Sequence, residues 1–139
     1  MVTREIAAQD VQRADVILQE ARSLLERGAW NLVVRRSQEA VELALKGALR
    51  WAGVEVPKVH DVGPHLLRHA DRFPAWFTDD LPRLSEISGR LRREREASFY
   101  GDEASGVAPE AMYDEADAKE ALAEAMFVLD RCRHLVKGD

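Results

Sequence analysis

Apolar residues recur three and four positions apart along almost the whole chain, with no convincing alternation of the kind a strand requires. A first helix is predicted from about Thr3 to Arg27, with Ala14, Ile17, Leu18, Ala21, Leu24 and Leu25 on one face. Gly28 follows, where a left-handed residue can end a helix. A second is predicted from about Ala29 to Ala52. Val34, Val41, Leu45 and Ala48 form its main stripe, Ala40, Ala44 and Leu49 flank it, Gly53 stops it and Pro57 lies in the loop beyond. Two long helices separated by one short break predict an antiparallel hairpin.

Asp61 can cap a short third helix reaching about Arg72, because its carboxylate can accept from free amide donors. Leu66, Leu67 and Ala70 would pack inward. Phe73, Pro74, Trp76 and Phe77 then form an apolar turn that would plug one end of the bundle. Asp79 or Asp80 starts a fourth helix, with Pro82 suited to its first turn. It is predicted to run to about Ser98, with Leu84, Ile87 and Leu91 inward. Residues Phe99 to Tyr113 make the longest loop, holding Gly101, Gly106 and Pro109, and its charged residues Asp102, Glu103 and Glu110 are all acidic. Asp114 opens the last helix, to about Lys137, with a stripe of Ala121, Leu122, Ala125, Met126, Leu129 and Cys132. The expected fold is all-α: an antiparallel bundle of four to five helices forming one domain over residues 1–139.

Composition fits that expectation. A chain of 139 residues is long enough to bury a core without disulfides or metals. Hydrophobic residues at 46% and charged residues at 32% give a globular rather than a disordered balance. A net charge of -5 argues against a general nucleic-acid binder but leaves room for a local basic patch. The single cysteine, Cys132, excludes an internal disulfide, and its place in a helical stripe points to a buried, inert thiol. The chain starts without the apolar run of a signal peptide, and no stretch approaches the roughly 20 apolar residues of a membrane span. A cytoplasmic location is the default expectation.

The densest basic cluster is RLRREREASFYGDE, from Arg90. Arg90, Arg92 and Arg93 read as a solvated face with Glu94 and Glu96 as local partners. Arg95 does not, because the inward stripe steps from Ile87 to Leu91 to Arg95. A charge at a core position needs a partner or a ligand. The second helix offers one: Gln38, Glu42 and Lys46 repeat every four residues as a polar stripe beside the apolar one. His65 and His69 are also four apart, but two histidines do not fill a tetrahedral site, so neither a metal nor a cofactor is expected. His60 is expected to support the helix start after Asp61, and His134 to sit favourably near a helix C-terminus. No Gly-rich phosphate loop, metalloprotease motif or zinc-cysteine spacing is present.

Three stretches then resemble one family. SQEAVELALKGALRWAGVEVPKVHD, from Ser37 to Asp61, resembles the signature of HEPN domains: polar residues, Ala-Val-Glu, a Lys four residues after the Glu, a Gly ending the helix and a His soon after. REREASFYGDE, from Arg93 to Glu103, is similar to the family's later segment in a branch associated with minimal nucleotidyltransferases. Tyr113 to Ala118 fits the start of the last helix. The resemblance implies a helical bundle, frequently a homodimer, and in many members a ribonuclease site. That site is an Arg, a gap of four to six residues and a His, duplicated across a dimer cleft. This chain has no Arg and His at that spacing; its nearest counterpart is Arg95 followed by Tyr100.

Two functional expectations follow, with a purely structural helical protein as the third. One is a dimeric binding module that engages a nucleotidyltransferase-type partner and takes nucleotide or RNA phosphate through Arg95. The other is a metal-independent, toxin-like ribonuclease of a toxin–antitoxin system, using a degenerate Arg-x4-Tyr motif. In either case Arg95 and Tyr100 are expected to line the site, with Glu42 near Arg95 and with Gln38 and Lys46 beside it.

Overall fold

A computed structural model describes residues 2–138. The chain forms α1 (Val2–Glu26), α2 (Trp30–Trp51), α3 (Gly63–Arg68), α4 (Ala75–Thr78), α5 (Leu81–Arg93), α6 (Arg95–Tyr100) and α7 (Glu115–Lys137). Short 3-10 turns lie at Ala70–Arg72 and Pro109–Ala111. Among the described residues there is no strand, only an isolated bridge between Asp102 and Val107. No described helix is long and apolar enough to cross a membrane.

The α1–α2 hairpin turns at Gly28, whose φ of 71° lies in the left-handed region that favours glycine. The turn is closed by the Ala29 amide donating to the Leu24 carbonyl at 3.0 Å. The antiparallel pairing is fixed at its open end by Asp10, buried on α1, which accepts from Arg50 of α2 at 2.9 Å and from Arg13. Helix α7 runs antiparallel to α1, with Arg133 donating to Asp15 at 2.8 Å. Its start carries a capping box between Asp114 and Asp117. The predicted stripes of α2 are buried, as are Leu84, Ile87 and Leu91 of α5. Phe73 and Phe77 pack against each other and Phe73 stacks on Trp51, closing one end of the core.

Several expectations needed correction. Leu67 and Met126 face outward rather than into the core. The third helix stops at Arg68, and the Asp61 carboxylate meets both the Gly63 amide and Ser88 of α5, tying the helix start to its neighbour. The fourth helix is not continuous. It breaks at Glu94, whose amide bonds to Leu91 one residue short of the α-helical partner. Side chains of α2 take up the carbonyls beyond the break: Arg35 donates to Arg95 O at 2.7 Å and Asn31 to Ser98 O at 3.0 Å. Glu94 itself is held by the Tyr113 hydroxyl at 2.8 Å.

Gly101 ends α6 with φ of 75°, and a Cβ there would stand 2.2 Å from the Val107 carbonyl oxygen. Gly101→Ala is therefore expected to lower stability by about 1–3 kcal/mol, the usual cost of a strained backbone position. Urea denaturation of the variant measures it, and an unchanged midpoint would show that the loop yields freely.

Candidate functional site

The polar stripe of α2 opens into a groove of about 550 Å³ between α1, α2 and α6. Ile17 and Leu43 supply its apolar wall. Its charged lining is balanced: Arg36, Lys46 and Arg95 against Glu20, Glu39 and Glu42. Arg36 pairs with Glu39 at 2.5 Å and lies 3.6 Å from Glu20.

Glu42 is the hub. Its Oε1 accepts from Gln38 Nε2 at 3.0 Å and lies 2.9 Å from His60 Nδ1, while its Oε2 accepts from Lys46 at 2.9 Å. Burial pushes its pKa up, but the hydrogen bonds from Lys46, Gln38 and His60 and the Lys46 charge outweigh that, so it is held below the ordinary glutamate value of 4.5. The carboxylate is ionised at neutral pH.

Arg95 reaches over α2 as its register requires. Its Nη1 donates to Gln38 Oε1 at 2.8 Å and lies 4.0 Å from Glu42 Oε1. The expected Arg95–Glu42 pair is thus present but bridged: the buried Gln38 amide donates to Glu42 with its nitrogen and accepts from Arg95 with its oxygen. Among the described residues, Gln38 Oε1 is the one acceptor within hydrogen-bonding distance of the Arg95 guanidinium. A guanidinium carries five N–H donors.

Gln38, Glu42, Lys46 and Arg95 are brought together; Tyr100 is not. It does not line the groove, the residue is 57% exposed, and its ring packs edge-on against Phe99. The cause is that α6 continues through Tyr100. At 3.6 residues per turn, a residue five positions after Arg95 is rotated by about 140° around the axis. The chemistry-bearing residue that sequence reasoning missed is His60. Instead of supporting the start of α3, it turns back from the α2–α3 loop onto Glu42. Its one signal was its place in the stretch Ser37–Asp61. His65 lies on α3 and His69 at the residue that ends it, and no group of three or more metal-type ligands occurs among the described residues. Cys132 is fully buried, and burial pushes its thiol up to about 12, so it stays protonated.

Because the folded pKa of Glu42 is depressed, its stabilising contribution is complete above the unfolded value and is lost as pH falls through the folded one. Glu42→Gln is expected to cost about 1–3 kcal/mol at neutral pH, as hydrogen bonds to a charged acceptor are weakened. The gap to wild type should narrow as pH falls below the ordinary glutamate value of 4.5 and through the lower folded one. Denaturant unfolding of both proteins at neutral and acid pH measures this. A gap that stays constant with pH would remove the ionised carboxylate as its source.

The sequence matches the HEPN domain family over residues 8–135. The crystal structure of an archaeal HEPN homologue is similar to this fold with a TM-score of 0.70 at 27% identity, over 94% of this chain and 97% of that one. No curated protein matches the sequence. The family match reaches every long helix and includes both halves of the Glu42–Arg95 site, and the likeness to the archaeal homologue runs through nearly the full length of both chains: this chain belongs to the HEPN domain family.

Proposed function

We propose that this HEPN domain is a binding module that takes a phosphate group of a nucleotide or RNA at Arg95, works as a homodimer and engages a nucleotidyltransferase-type partner. The observation that carries the reading is the Arg95 guanidinium. It is held in a groove by one neutral amide oxygen, with its other donors uncommitted among the described residues. A fork of donors preset in a cleft suits a phosphate better than a solvated arginine does. Lys46 adds a second cation to the same lining. The exposed rings of Phe99 and Tyr100, on the helix that carries Arg95, offer an apolar edge for a second subunit. The nucleotidyltransferase partner rests on the resemblance of Arg93–Glu103.

The test is binding of a fluorescent single-stranded RNA and of AMP to folded variants. Arg95→Ala should weaken binding by about tenfold or more, a loss of about 1.4 kcal/mol. Arg92→Ala is the control, since Arg92 is an exposed partner of Glu96, and it should change binding by less than about twofold. Equal binding by wild type and Arg95→Ala would leave Arg95 only its structural contact to Gln38.

A second reading, a metal-independent ribonuclease of toxin type, is favoured by one observation: His60 Nδ1 lies against Glu42. With Nδ1–H donated to the carboxylate, Nε2 is the free acceptor, the tautomer a general base needs. In this reading His60 takes the role that the sequence assigned to Tyr100. Wild type should then cleave RNA in EDTA, and His60→Ala should lose about 100-fold or more of that rate. An inert wild type would sink it.

A further inference from the structure

Residues 53–58, between α2 and α3, face α3 and the turn after it across a second groove of about 540 Å³. It shares no lining residue with the first. Lys58 comes from the loop, His65 from α3, His69 from the residue that ends α3, and Arg72 from the turn that follows. Val54, Val56 and Pro57 supply an apolar wall.

The charge pattern sets this groove apart. In the first groove every cation faces a carboxylate: Arg36 faces Glu39 and Glu20, Lys46 faces Glu42, and Arg95 stands 4.0 Å from Glu42. In the second, neither Lys58 nor Arg72 has a carboxylate within salt-bridge distance among the described residues. Arg72 reaches only the Ala52 carbonyl, at 3.5 Å. His65 and His69 have no carboxylate partner there either. Glu55 is the one acidic residue in the lining. The chain carries a net charge of -5, so a concave surface with uncompensated positive charge is a place where an anion would concentrate. The same charges disfavour a metal ion, and the two histidines lack a third ligand among the described residues. The volume falls in the range of small-molecule sites, larger than a bare phosphate ion needs.

We infer that this groove is a separate anion site that takes a phosphate monoester, with the phosphate on Lys58, Arg72 and the two imidazoles and the apolar body of the ester on Val54, Val56 and Pro57. The imidazoles donate hydrogen bonds without needing full charge, and Lys58 and Arg72 supply the long-range attraction.

The test uses the full chain and NMR of its histidine ring resonances at fixed pH and ionic strength. The probes are phenyl phosphate, inorganic phosphate and phenol. Phenyl phosphate should give saturable shifts at His65 and His69 and none at His134, which lies on α7 outside the groove. Lys58→Ala combined with Arg72→Gln should weaken it by about tenfold or more. Both positions are exposed, and glutamine keeps a donor for the Ala52 carbonyl, so an unchanged amide spectrum checks the fold. Arg95→Ala should leave this binding within about twofold of wild type, which separates the inference from the phosphate role proposed for the first groove. Weaker saturation by inorganic phosphate and none by phenol would support the ester. Equal affinity for inorganic phosphate would overturn the apolar half of the inference. Shifts that never saturate, that appear equally at His134, or that survive the double substitution would overturn it entirely.

Discussion

Helix α2 packs against α1 on one side, α7 on another, and α3, α5 and α6 around the remaining arc. A helix enclosed in this way has little surface left for water. Its polar side chains must find partners in the protein or leave buried groups unsatisfied at several kcal/mol each, a cost on the order of 1–3 kcal/mol even with partial compensation. Asn31, Arg35, Gln38 and Glu42 all meet that demand by reaching segments distant in sequence. Their targets determine where α6 and the loop before α3 come to rest. The buried Ser37 hydroxyl is the exception on α2, with no hydrogen-bond partner among the described residues.

Glu42 shows how far this goes. One carboxylate aligns the Gln38 amide, the Lys46 ammonium and the His60 ring, and Gln38 passes the alignment on to Arg95. Each of these groups sits on, or is tied to, a helix whose backbone is fixed independently. Arg35 and Asn31 anchor α6 from α2, and Tyr113 anchors Glu94 from the segment before α7. Such support holds a cleft's donors in one geometry without a ligand, which is the property that lets a guanidinium fork discriminate a phosphate.

The two grooves differ because of what borders them. The first lies between α1, α2 and the short α6, whose facing surfaces carry both signs of charge, so Arg36 and Lys46 are paired there while most of the Arg95 donors stay free among the described residues. The second is bordered by a loop and a short helix with few acidic residues, and its positive charge is left for solvent or a ligand. Both belong to a chain of net charge -5, and the local arrangement rather than the total decides what each can attract.

The sequence by itself determined the long helices α1, α2 and α7 and the start and inward stripe of α5, the hairpin at Gly28, the capped start of α7 and the facing of Glu42 and Arg95. All of these depend on periodicity or capping chemistry, which are local and survive without knowledge of neighbours. The break at Glu94 became visible only in the tertiary structure, where the Tyr113 hydroxyl holds the Glu94 carboxylate and α2 side chains bind the carbonyls of Arg95 and Ser98 beyond it. The tertiary structure also decided that Tyr100 turns away from Arg95, since a helix that continues for one more turn sends a residue five positions on to another face. His60 and the Lys58–Arg72 groove lay outside the reach of pattern reading for a related reason. Loop residues have no period, and the direction they face is set by the surfaces on which the loop closes.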